Sequence, residues 1–112
     1  MFLDLPEFIY TFSNMNEILF PSQYKRAILK KQKNTTIRIG KEIGKYKVGK
    51  SYLIKSYSGN SWHTIITINT IQRTTINHLS KFGISKKSIE SLQRKEKIFP
   101  KTPIEIIRFK YK

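Results

Sequence analysis

Residues 30–39 read Lys-Lys-Gln-Lys-Asn-Thr-Thr-Ile-Arg-Ile, a basic run that becomes a β-branched one within ten positions. Alternation over Thr35–Ile39 puts Thr36 and Arg38 on one face of a strand and Ile37 and Ile39 on the other. Upstream, Pro21-Ser22 is a start signal with Ser22 as N-cap, and Tyr24, Ala27 and Ile28 fall at helical spacing. Together they predict a short helix over about residues 23–32, apolar on one side and basic on the other. Lys30, Lys31 and Lys33 at its end suit the negative pole of the helix dipole. Downstream, Gly40, Gly44 and Gly49 punctuate a basic loop holding Lys41, Lys45 and Lys47.

Working outward, Phe-Ile-Tyr-Thr-Phe at residues 8–12 reads as a first strand. Asn16 is placed to cap a single turn carrying Ile18 and Leu19. Residues 51–57 and 62–73 read as a hairpin around the turn Ser58-Gly59-Asn60-Ser61. Thr75 caps a short helix through Leu79 and Phe82 that Gly83 ends, and Ser85 caps another with Ile89 and Leu92 on one face. Pro100 and Pro103 bracket a loop, and Ile104 to Tyr111 closes the chain as a strand in which Ile107, Phe109 and Tyr111 alternate with Arg108 and Lys110. The expected class is α+β, mainly β: a small β-barrel with short inserted helices, residues 1–112 forming one domain.

Composition supports this and narrows the function. Eighteen Ile stand against one Val and one Ala in 112 residues, which favours strands. There is no Cys, so disulfides, thiolate metal sites and a Cys nucleophile are excluded. Two His, His63 and His78, are too few for a dedicated metal site, and each is expected as a hydrogen-bonded surface residue. No metal and no cofactor are expected. No apolar run approaches ~18 residues and the N-terminus has no basic segment, so a soluble, cytoplasmic protein is expected.

Charge is the dominant signal. Lys+Arg number 22 and Asp+Glu 7, a net charge of +15, and residues 1–20 hold three acids and no base. Between Lys25 and Lys55 there are eleven basic residues and one acid, Glu42. Such a field attracts polyanions and repels a second copy, so nucleic acid is the expected partner and a monomer the expected state, with no membrane contact. Lys30, Lys31, Lys41, Lys45, Lys47 and Lys50 are candidate phosphate contacts, joined by Arg73. Tyr46, Tyr52, Tyr57 and Trp62 interleave with the basic run as aromatic faces for bases do. Tyr52 reads as core, while the turn before Trp62 allows partial exposure, and Trp62 joins the candidate binding set. Lys86, Lys87, Arg94, Lys95 and Lys97 form a second basic cluster whose side of the molecule is open.

The helix around Tyr24–Leu29, the run Lys30–Arg38 and the segment Tyr46-Lys47-Val48-Gly49-Lys50-Ser51-Tyr52 resemble the ASCH domain family. That resemblance extends from about Ile9 to Tyr111, including Phe99-Pro100 and the final strand, and implies a PUA-like β-barrel. The family hallmark, roughly G-x-K-T-x-T-x-R, puts its Lys on Lys33, its second Thr on Thr36 and its Arg on Arg38. Lys31 stands where the hallmark has Gly, and Asn34 where it has the first Thr. The resemblance implies an RNA-linked module, RNA rather than DNA, with Lys33, Thr36 and Arg38 as the polar centre. It also implies an alternative, because some members are metal-independent hydrolases acting on acetylated cytidine or cleaving RNA, with catalytic Lys and Thr. Lys33 and Thr36 would then be catalytic. The downstream region where those amidohydrolases carry a Glu reads Lys81-Phe82-Gly83, and Glu90 is the nearest acid after it. A third reading is a basic protein that coats duplex DNA without sequence preference.

Overall fold

Two long stretches of alternating Ile, 61–75 and 103–111, make the strands around which the rest is built. The computed structural model describes residues 16–95, 99 and 101–112. In chain order its elements are β1 (Glu17–Phe20), the 3-10 turn η1 (Ser22–Tyr24), α1 (Lys25–Leu29), β2 (Thr35–Ile39) and the 3-10 turn η2 (Gly40–Glu42). There follow β3 (Ser51–Ser56), β4 (Ser61–Thr75), the 3-10 segment η3 (Ile76–Phe82), α2 (Lys86–Lys95) and β5 (Pro103–Tyr111). The strand expected over residues 8–12 lies outside the described residues.

The strands form one sheet in the order β1-β3-β4-β5-β2. β1 runs parallel to β3 and every other pairing is antiparallel. β5 lies inside the sheet, between β4 and β2, and is covered on both faces. Ile107 and Phe109 pack into a core with Ile18, Phe20, Ile28, Ile54 and Ile66, while Ile104 and Ile106 pack with Ile76 and Leu79 on the other side. Ile89 and Leu92 of α2 join the second cluster, and the Ser85 hydroxyl accepts the Ser88 N–H at 3.1 Å, as the expected cap should. The 3-10 segment η3 ends at Gly83, whose φ of 81° is left-handed.

Three local expectations change. The segment around Ile18 and Leu19 is a strand, not a helical turn: Ile18 pairs alongside Ile54 of β3, and Ile18 and Phe20 are buried in the core. Four residues carry too little periodicity to announce this; the partner strand supplies it. The helix is α1 over Lys25–Leu29, preceded by a 3-10 turn, and Ser22 makes no capping hydrogen bond because extended Pro21 holds the N-cap position. Trp62 is buried, 7% exposed, within the main core. The ladder slips there, with Ile54 opposite Thr64 and Lys55 opposite Ser61, and His63 has a φ of 52°. This bulge turns Trp62 inward and leaves His63 outside.

Among the described residues the sheet is not closed into a barrel: β1 and β2 are its edges. β1 has four residues and ends at Pro21, which has no N–H to continue a ladder. Side chains span the gap between the edges instead, and that gap is the candidate site. No helix among the described residues is long and apolar enough to cross a membrane.

Candidate functional site

The site begins where α1 stops. The Gln32 N–H bonds to the Ala27 carbonyl at 2.8 Å and the Lys31 N–H to the Ile28 carbonyl at 2.9 Å, the paired bonds of a Schellman motif. Lys31 occupies its left-handed position with a φ of 59°. The hallmark of the resembled family has Gly here, and the backbone explains why. The chain is then pinned to β5: the Tyr111 hydroxyl donates to the Lys33 carbonyl, and the Phe109 N–H bonds to the Asn34 carbonyl at 2.9 Å. β2 follows, and among the described residues it pairs only with β5.

The expected alternation in β2 holds, but the polar pair is the more buried one. Thr36 and Arg38 are 8% and 5% exposed and face the main core, while Ile37 and Ile39 pack against the second cluster. Arg38 is held from three sides. Its Nε donates to Thr36 Oγ1 at 3.2 Å, its NH1 to Glu42 Oε1 at 3.1 Å, and its guanidinium carbon lies 4.8 Å from the Phe20 ring centroid. Tyr46 stands 5.5 Å away on the same guanidinium. A partly desolvated cation over a ring is worth about 1–2 kcal/mol.

Glu42 collects the donors. It accepts from the Tyr46 hydroxyl at 2.6 Å and the Lys45 ammonium at 3.1 Å as well as from Arg38. Burial pushes its carboxyl up, but these hydrogen bonds and the charges of Lys45 and Arg38 outweigh burial and hold it below its ordinary 4.5. Burial, followed by the hydrogen bond to Glu42, raises the Tyr46 phenol far above its ordinary 10. Glu42 is thus a fixed anion and Tyr46 a fixed donor.

Lys33 lies beside this network. Its ammonium is 4.3 Å from the Tyr24 ring centroid and 5.9 Å from that of Phe20. Desolvation, and then the charge of Arg38, lower its pKa below the ordinary 10.5. Lys33, Thr36, Arg38 and Glu42 line one groove of about 830 Å³. It is also lined by Phe20, Tyr24 and Tyr57, by Ser85, and by Lys87 and Ser88 of α2.

The three hallmark positions therefore come together. Of the other candidates, Lys30, Lys31 and Lys41 are exposed on the segments flanking β2, and Lys45 is tied to Glu42. Lys47 and Lys50 line a second, smaller cavity, along with Lys45. Arg73 is paired with the buried carboxylate of Glu105 at 2.7 Å. Trp62, Tyr46 and Tyr52 are core residues, which removes Trp62 as a stacking face, whereas Tyr57 is 65% exposed. Glu90 is exposed on α2 and is not among the groove residues. From the second basic cluster, Lys87 reaches the groove. Sequence reasoning missed Phe20 and Glu42. Glu42 had a signal, as the sole acid among eleven basic residues. Phe20 had none, since its role depends on two distant strands meeting.

No protein-family model and no curated protein matches the chain. Solved structures do. A DUF984 protein from Enterococcus faecalis V583 superposes with a TM-score of 0.63 at 14% identity, covering 80% of this chain and 67% of its own. An ASCH domain from Lactobacillus crispatus JV V101 superposes with a TM-score of 0.53 at 14% identity, covering 78% of this chain and 69% of its own. At such identity the likeness speaks for the fold. The chain has an ASCH-like fold, a mixed and mainly β five-stranded sheet with short helices.

Proposed function

We propose that this protein is a nucleic-acid-binding module, with RNA preferred over DNA, and that the β1–β2 groove is its recognition site. The observation that carries the reading is the buried Arg38 fork held by Thr36, Glu42 and Phe20, with the Lys33 ammonium beside it, in a chain of net charge +15. A guanidinium oriented on three sides is prepared to meet a phosphate or a base edge without losing further freedom. Exposed Tyr57 offers a face for stacking. Lys30, Lys31 and Lys41, with the other exposed lysines, add contacts to the backbone that carry affinity and not sequence. RNA is preferred because the resembled family is RNA-linked and because aromatic faces beside lysines suit unstacked bases.

The test is fluorescence anisotropy with one single-stranded RNA, its duplex and the matching DNA duplex, each at two salt concentrations. Tighter binding to RNA, steeply salt-dependent and reduced by Arg38→Met, is the expected result. Equal affinity for every duplex, set by length alone, would favour the coating reading. Binding weaker than about 0.1 mM to all three would make the charge surface only.

A second reading is supported by one observation: Lys33, its pKa lowered, shares the groove with Thr36 and with the carboxylate of Glu42. A depressed amine beside a hydroxyl is the pairing a metal-independent amide hydrolase uses. Incubation with N4-acetylcytidine, followed by chromatography, tests it; turnover abolished by Lys33→Ala and Thr36→Ala is the positive result.

A further inference from the structure

The second cavity, of about 340 Å³, adjoins the groove through Lys45 and Tyr46, which both donate to Glu42. Its floor is the buried rings of Tyr46 and Tyr52, packed edge to face at 5.2 Å, and Lys45, Lys47 and Lys50 stand around it. All three lysines come from one six-residue stretch of chain.

That stretch is held in shape. The Lys47 N–H bonds to the Tyr52 hydroxyl at 2.9 Å, the Gly49 N–H to the Ile68 carbonyl at 2.8 Å, and the Ile68 N–H back to the Lys50 carbonyl at 3.0 Å. The Lys50 N–H closes on the Lys47 carbonyl at 3.2 Å, so residues 47–50 form a β-turn, and Gly49 at its third position has the left-handed φ of 84° that a type II turn requires. A β-turn brings its first and fourth Cα atoms within about 7 Å, which puts the stems of Lys47 and Lys50 side by side. Among the described residues, the carboxylate lining the cavity is Glu17, which Lys55 engages at 2.5 Å. Lys45 has Glu42 on its groove side. Neither Lys47 nor Lys50 has an acidic partner among the described residues.

Two neighbouring ammoniums on a braced turn repel each other, and a compact multivalent anion relieves that repulsion. We propose that the Lys45–Lys47–Lys50 cavity is a phosphate-binding site, separate from the groove, that takes a phosphate or short polyphosphate group. Tyr46 is the partition: its ring lines this cavity and its hydroxyl reaches Glu42 in the groove. The site does not depend on nucleic-acid binding in the groove.

The probe is inorganic tripolyphosphate, titrated calorimetrically at fixed salt. One equivalent should bind, and Lys47→Ala/Lys50→Ala should weaken it about tenfold or more, the loss expected for two charge-assisted contacts. Lys81→Ala/Lys86→Ala removes the same charge from exposed positions outside both cavities and should change affinity by less than about twofold. Amide shifts on titration should concentrate at residues 47–50, and thermal melts of both double variants should match the parent, since these side chains are exposed. Arg38→Met should leave tripolyphosphate binding intact, so a failed groove and a failed cavity give different results. Comparing one RNA with and without a 5′-phosphate names the source of the group: a gain lost in Lys47→Ala/Lys50→Ala assigns a chain end, and no gain assigns a free polyphosphate. No binding, or equal weakening by both double variants, overturns the proposal.

Discussion

The Arg38 guanidinium lies 4.8 Å from the centre of the Phe20 ring, joining two edge strands that share no backbone hydrogen bond. Arg38 is therefore a structural clasp as well as the centre of the groove. Arg38→Lys keeps the charge and loses the planar fork, so Thr36 and Glu42 lose their shared donor. Denaturant unfolding should show a loss of about 1–2 kcal/mol. RNA affinity should fall at least several-fold, which anisotropy reads.

Lys31 separates stability from binding. A side chain at its left-handed φ costs roughly 1–2 kcal/mol, part of which Gly returns as unfolded-state entropy. Lys31→Gly should therefore raise stability by about 0.5–1 kcal/mol. It also removes an exposed cation, so the slope of log K against log salt on single-stranded RNA should become shallower by about 0.7. A variant that melts higher and binds more weakly is the expected outcome. A lower melting temperature would contradict the strain argument.

Lys33 sets a pH dependence. Its folded pKa lies below 10.5, so between the folded value and 10.5 the unfolded chain holds more protons and stability rises with pH. Tyr46 acts in the opposite sense. Its phenol is raised above 10, so stability falls once the unfolded chain begins to lose that proton near pH 10. Tyr46 thus opposes the rise as the pH nears its ordinary 10, and Lys33→Met should flatten the rise in melts across the alkaline range. A phosphate bound at Lys33 favours the charged amine, so anisotropy in the same buffers should show affinity falling as pH rises.

Glu105 and Arg73 form a cycle worth closing. The Glu105 carboxylate is buried, bonded to Arg73 at 2.7 Å and to the Gly44 N–H at 3.1 Å, and so ties the basic loop to the sheet. Arg73→Ala strands that carboxylate and should cost about 1–3 kcal/mol, a figure moderated by the exposure of the Arg73 side chain. Adding Glu105→Gln should recover part of the loss, because a neutral amide is cheaper to leave unpaired. Strict additivity in urea titrations would refute the coupling.

Trp62 and Tyr57 should behave as opposites. Trp62→Ala opens the core and should cost about 3–5 kcal/mol. Trp62→Phe should bind RNA like the parent. Tyr57→Ala should leave stability within about 0.5 kcal/mol, since the ring is exposed, while weakening binding as a lost stacking face does.

Much of this was legible in the chain. Alternation marked β2, the β3–β4 hairpin and β5, because strands repeat every two residues whatever their partners. Gly83 and Ser85 marked a helix end and a helix start, because caps are local chemistry. Lys33, Thr36 and Arg38 could be picked out together because they match the hallmark of the resembled family within six residues. What depends on distant partners was hidden. β1 exists because β3 pairs with it, and Trp62 is core because a bulge turns it inward. Phe20 meets Arg38 only once the sheet has brought its two edges near each other. Local periodicity and charge were enough for β2 to β5 and for the basic field, and the family resemblance for Lys33, Thr36 and Arg38. Contacts in the folded chain settled that, among the described residues, the sheet is not closed, that Phe20 meets Arg38 and that Glu17 and Leu19 complete a second cavity beside Lys45, Lys47 and Lys50, because those bring together residues the chain keeps apart.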